Sequence, residues 1–170
     1  DIAHRRVVEV ALNGQQYTED AMLFKLYRTP VEVWQFDPLS GPLNGRTRTV
    51  INGINFMDTG YINCKWGIDR DAVAPAEYVD GIILCQSPDV SSLDDPYSTG
   101  AYDLRVALNG QQYSTVQRTR SVPSFFFYGT PRIASISPEY GVFTGGTDVR
   151  LLSTVENPFE NPSGDNQIMC

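Results

Sequence analysis

A β-sandwich repeated in tandem is the fold this sequence predicts, and three observations predict it. An eight-residue segment occurs twice, apolar residues alternate at period two in short runs, and turn signals separate those runs. The octapeptide Val-Ala-Leu-Asn-Gly-Gln-Gln-Tyr fills residues 10–17 and again 106–113, an offset of 106 − 10 = 96 residues. That offset is the length of one small domain, so the chain reads as part of an array of modules. The composition agrees: 14 Gly, 11 Pro, 9 Tyr and 8 Phe punctuate and fill short strands, and no run has helical periodicity.

Each element follows from parity. Val8, Val10 and Leu12 fall on one face of a strand, as do Tyr102, Leu104, Val106 and Leu108, with Asp103, Arg105, Ala107 and Asn109 on the other. Asn13-Gly14 and Asn109-Gly110 close these strands, because Asn-Gly suits the positive φ angles of a tight hairpin turn. Val33 and Phe36 lie three apart and break parity, which predicts a bulge just before Pro38 ends the strand. Ile133 and Ile136 repeat that spacing before Pro138. Thr47, Thr49 and Ile51 alternate, as do Thr147, Val149 and Leu151. Ile62, Cys64 and Trp66 share a face, and so do Ile83 and Cys85. Phe125 and Phe127 form the inward face of a last strand. About seven short strands in roughly 100 residues indicate a two-sheet sandwich.

The repeat extends beyond the octapeptide. Phe24 and Tyr27 match Phe125 and Tyr128 at offset 101; Val33, Phe36, Pro38, Gly41, Gly45 and Thr47 match Ile133, Ile136, Pro138, Gly141, Gly145 and Thr147 at offset 100. Cys64 matches Cys170 at offset 106. The drift falls in stretches that read as loops, where insertions are tolerated. The expected organisation is therefore residues 1–29 as the last two strands of one module, 30–129 as a complete module, and 130–170 as the first three strands of the next. Each half exposes an apolar face and unpaired edges. Its expected partners are neighbouring modules of the same protein or, by strand complementation, other copies of it.

The order Pro30, Val33, Phe36, Pro38, Gly41, then Gly45, Thr47, Thr49, Ile51, Gly53, Asn55-Phe56, resembles the IPT/TIG domain family. The pattern continues through Cys64-Lys65-Trp66-Gly67 and Cys85-Gln86-Ser87-Pro88, and Gly145-Gly146-Thr147 fits the family pattern better still. The resemblance covers nearly the whole chain. It implies an immunoglobulin-like β-sandwich. It implies function only loosely, since the family occurs in plexins and other receptors, in surface proteins of protists, in bacterial adhesins and carbohydrate-active enzymes, and in Rel-type transcription factors.

The resemblance also places Cys64 and Cys85 where extracellular members carry a disulfide, and both have inward parity. Such a bridge closes a loop of about 20 residues and contributes roughly 3 kcal/mol in the chain-entropy account. Two buried thiols are the alternative. Cys170 is the equivalent of Cys64 and needs a partner outside these 170 residues. A disulfide framework implies an extracellular or cell-surface setting.

Chemistry is sparse. His4 is the single histidine and reads as a solvated side chain. Cys64 and Cys85 are too widely spaced for a zinc knuckle. Gly41-Pro42-Leu43-Asn44-Gly45-Arg46-Thr47 echoes a phosphate loop but lacks the lysine and reads as an inter-strand turn. Asp69, Asp71, Asp94 and Asp95 lack the ladder of a calcium loop and read as solvated acids. No Asn-x-Ser/Thr sequon is present, and O-linked sugars around Ser91-Ser92 or Thr115 are compatible with the sequence. No catalytic residue, cofactor or metal ligand is expected, so the chain reads as a non-enzyme. The formal charge of −7 disfavours nucleic acid and anionic membranes, and no apolar run is long enough for a membrane span.

Trp34, Phe126 and Tyr128 fall on outward parity. They either contact an adjacent module or subunit or cap the open ends of their own sandwich. Three functions compete: a structural or adhesive rod, stalk or filament; a spacer in a ligand-binding receptor ectodomain; and an accessory domain of a carbohydrate-active enzyme or DNA-binding factor. Near-identical repeats, acidic charge and paired cysteines favour the first.

Overall fold

The computed structural model describes residues 2–67, 72–91, 99–115, 122–130 and 132–153. Its elements are all strands: β1 (Ile2–Val8), β2 (Met22–Tyr27), β3 (Glu32–Asp37), β4 (Ser40–Pro42), β5 (Arg48–Ile54), β6 (Asn63–Trp66) and β7 (Ala72–Val79). These are followed by β8 (Ile82–Gln86), β9 (Gly100–Tyr102), β10 (Leu104–Ala107), β11 (Phe125–Tyr128), β12 (Ile133–Ser137) and β13 (Arg150–Ser153). The protein is all-β, and among the described residues there is no helix.

Strands β3–β11 form a β-sandwich. One sheet has the order β10-β6-β7-β8-β5-β3 and another the order β4-β11-β9. β7 is shared: its residues 72–75 pair with β6, and 76–79 pair with β8. The change falls at Pro75, which has no N–H to give to a ladder. Two strands also pass from sheet to sheet. β3 pairs with β5 while β4, just beyond Pro38, pairs with β11; β9 pairs with β11 while β10, one residue later, pairs with β6. Counting β3/β4 and β9/β10 as single bent strands leaves the seven that parity anticipates. β4 and β11 run parallel, tied by Leu43 N to Tyr128 O at 2.9 Å and Phe126 N to Leu39 O at 2.8 Å.

The core is the set of inward positions. Phe36, Ile51, Cys64, Trp66, Ile83, Val106, Leu108, Phe125 and Phe127 are buried. Each large apolar side chain removed from water contributes about 1.5–3 kcal/mol. Rings meet edge-on within the core, with Phe125 and Phe127 centroids 4.9 Å apart at 64°. Ala107 departs from the parity reading. It lies on the expected polar face yet is fully buried. The chain folds back over it, with Tyr113 bridging Ala107 and Ser114 N donating to Val106 O at 2.7 Å.

The bulge expected at Val33 and Phe36 is present. Val33 pairs with Gly53 and Gln35 with Asn52, so Trp34 is the inserted residue. β12 and β13 reproduce the same register, with Ile133 opposite Ser153, Ser135 opposite Leu152 and Ile136 opposite Leu151. At the other end, Arg6 pairs with Phe24 as Tyr102 pairs with Phe125. β1–β2 and β12–β13 are two-stranded sheets. Their apolar faces remain in contact with solvent: Phe24 is 58% exposed where Phe125 is 0%, and Ile136 is 47% exposed where Phe36 is 1%. Val8, Val10 and Leu12 are likewise exposed.

Candidate functional site

Cys64 and Cys85 form a disulfide with Cα atoms 6.4 Å apart. Cys64 lies opposite Ala74 and Cys85 opposite Ala76, on the two sides of β7. In a flat sheet, strands flanking a common neighbour stand about 9.6 Å apart, twice the inter-strand spacing. The shorter separation means that the sheet folds about β7 and the bridge closes that fold. Cys170 lies outside the described residues, as do Asp69, Asp71, Asp94, Asp95 and Ser92.

The Asn-Gly turns differ from the tight two-residue hairpin that the sequence suggests. Positive φ falls on Gly14 (74°) and Gly110 (71°) but not on Asn13 or Asn109. The asparagines act through their side chains instead. Asn109 Oδ1 accepts from Gln111 N at 3.1 Å and Gln112 N at 3.0 Å; Asn13 Oδ1 accepts from Gln15 N at 3.0 Å and Gln16 N at 3.1 Å. Each asparagine Nδ2 also donates to the second glutamine, Gln112 or Gln16. A hydroxyl closes the wider loop in both copies: Val106 N donates to Ser114 Oγ at 3.1 Å, and Val10 N to Thr18 Oγ1 at 3.1 Å. A side-chain acceptor lets the loop satisfy its amides without the left-handed asparagine of a type I′ turn. Sequence reading missed Thr18 and Ser114, although a hydroxyl residue recurs at the same offset in both copies.

The three outward aromatics separate. Trp34 is 41% exposed on the bulge, and its Nε1 donates to Glu32 Oε2 at 3.4 Å. Phe126 and Tyr128 are half-buried on the outer face of β11. His4 is exposed in β1. Thr115 is exposed beyond the repeat turn, and Ser91 donates through N and Oγ to Asp89 Oδ1 at 3.0 and 2.6 Å. The Ser91 hydroxyl, and then its amide, hold the Asp89 carboxyl below the usual range; desolvation opposes them and Arg46 adds to them. Gly45 makes the turn that echoes a phosphate loop. Its φ is 74°, and a side chain there would collide with the Pro88 carbonyl, so the loop is packed shut. Among the described residues no group of His, Cys, Asp and Glu can hold a metal ion, and no helix is long and apolar enough to cross a membrane.

Among the described residues, two larger concavities stand out. One is an open groove of about 730 Å³ whose lining includes Arg46, Arg48 and Glu77. The other, of about 840 Å³, lies between β2 and the sandwich. Tyr27 of β2 packs against the sandwich core. Leu23 and Lys25 continue the β2 wall, and Phe56, Tyr61, Tyr78, Asp58 and the repeat-turn residues Asn109 and Gln111 form the other. The aromatic members come from separate elements with no common spacing, so only Asn109 and Gln111 carried a sequence signal, through the octapeptide.

No family model matches the chain, and no curated protein matches it. Among solved structures the chain is similar to a structural-genomics protein of unknown function from Bacteroides thetaiotaomicron VPI-5482. That match has 20% identity and a TM-score of 0.41, and covers 59% of this chain and 22% of that one. The chain is also similar to the full extracellular region of plexin A4, with 13% identity and a TM-score of 0.44, covering 74% of this chain and 11% of that one. It thus spans less than a quarter of the length of either solved chain.

Proposed function

We propose that this chain is a segment of an extracellular structural or adhesive protein. In this reading tandem IPT/TIG-type modules form a rod, stalk or filament through contacts between modules or subunits. The observation that carries the proposal is recurrence of geometry as well as sequence. The turns at Asn13 and Asn109 use the same acceptors, and the β12–β13 register repeats β3–β5 with its bulge. A chain that reuses one unit with its local hydrogen bonds intact suits an extended array. The Cys64–Cys85 bridge supports an oxidising compartment. The exposed Phe24 and Ile136 are the positions that the central module buries, so a completed neighbour would cover them.

Negative-stain electron microscopy of the native protein tests this. Elongated particles with an axial repeat of one module are expected. A compact particle without internal repeat would overturn the proposal.

A further inference from the structure

We propose that the cleft between β2 and the central sandwich binds a neutral oligosaccharide. The site lies between two repeats and so rests on the tandem-array reading. Its volume of about 840 Å³ falls within the size range of small-ligand sites, which favour boundaries between domains.

The lining selects the ligand chemistry. Tyr27, Phe56, Tyr61 and Tyr78 supply aromatic rings, against which the C–H faces of a pyranose pack. Lys25, Asp58 and Gln111 supply donors and acceptors for hydroxyl groups. The lysine and the aspartate cancel in charge, which favours an uncharged ligand over an anion or cation. These groups also have hydrogen-bonding capacity to spare. Among the described residues, the Gln111 side-chain amide and the Tyr61 and Tyr78 hydroxyls make no hydrogen bond, and Lys25 makes no ion pair. Asp58 uses only Oδ1, accepting from Gly60 N at 3.0 Å.

The octapeptide adds an independent observation. Asn109, Gly110 and Gln112 all serve the turn itself. Gln111 contributes only its backbone amide, yet glutamine stands at the same place, Gln15, in the first copy. Gln111 thus lines the cleft with a side chain that the turn does not use, and this is the group a ligand would engage. By the repeat, Gln15 would serve the same role in a preceding cleft, giving one site per joint.

Calorimetric titration of the whole chain with neutral tetrasaccharides of β-glucan, mannan and chitin type tests the proposal. At least one is expected to bind at millimolar concentration or below. Tyr61→Ala and Gln111→Ala should each weaken binding by about tenfold or more, the loss of one good contact. Both residues are surface positions, so thermal unfolding should stay unchanged, and Trp34→Ala, outside the cleft, should bind normally. No binding across the panel, undiminished binding in both cleft variants, or binding of peptides alone overturns the proposal. Elongated native particles without saccharide binding would sink this site and leave the array standing; saccharide binding in a non-repeating particle would do the reverse.

Discussion

Trp66 and Phe125 meet edge to face at the centre of the sandwich, with ring centroids 6.1 Å apart and planes at 76°. They come from β6 and β11, which are not hydrogen-bonded neighbours. Phe36 reaches the same Phe125 ring from β3, at 6.4 Å. One phenyl ring therefore joins three strands drawn from the start, middle and end of the module. Phe125→Ala should cost about 3–5 kcal/mol, the range for a buried aromatic truncated in a packed core. Phe126→Ala, one residue along and on the outer face, should cost far less. Equal losses in chemical denaturation would show that β11 does not present alternate faces as described.

Reduction of the Cys64–Cys85 bridge should lower stability by about 2–4 kcal/mol. Its 21-residue separation closes a loop that includes the fold about β7. Intact mass should rise by two hydrogens on reduction, and peptide mapping should place both at these cysteines. Alkylation of both thiols in unreduced native protein would refute the bridge.

Asn109→Ala should destabilise the central module by about 1–2 kcal/mol, because the Gln111 and Gln112 amides lose their shared acceptor. Asn109→Asp keeps an acceptor and should retain most of the stability. Gly110→Val should cost about 1–3 kcal/mol, since φ is 71° and an added Cβ would stand 3.2 Å from Asn63 Nδ2. Thermal melts of the three variants check this, and an unchanged melting temperature for Asn109→Ala would show that other groups hold the loop.

Thr49→Val should raise the melting temperature. Thr49 is fully buried between β8 and the facing core, and among the described residues its hydroxyl has no hydrogen-bond partner. Valine keeps the branched shape and removes the unpaired group, a gain of about 1 kcal/mol or several degrees in a module of this size. A lower melting temperature would mean that the hydroxyl is satisfied by ordered water.

Much of the fold was legible because its signal is local. Alternation placed Cys64, Trp66, Ile83, Val106, Phe125 and Phe127 in the core, and the three-residue step from Val33 to Phe36 announced the bulge. What escaped depends on tertiary context. The burial of Ala107 comes from a segment folding back over it, which parity does not register. Val90 is fully buried although it lies in a loop, where no periodicity marks it. Asn-Gly suggested a two-residue turn, but the hydroxyls of Thr18 and Ser114, eight residues past Val10 and Val106, set a wider loop. The cleft was the least legible, because Tyr61, Tyr78 and Gln111 meet only once the chain has folded.

The parallel pairing of β4 with β11 bears on how the segment would respond to a pull on its two ends. The chain enters the sandwich through β3, bends past Pro38 into β4, and leaves by β11, so the second half of the entering strand lies beside the leaving one. Drawn from opposite ends, parallel neighbours slide lengthwise. Their hydrogen bonds are loaded together, whereas a hairpin peels open one rung at a time. A module wired this way stays folded under stretch until the whole ladder fails at once. Single-molecule pulling would register this as one abrupt rupture at the β4–β11 seam.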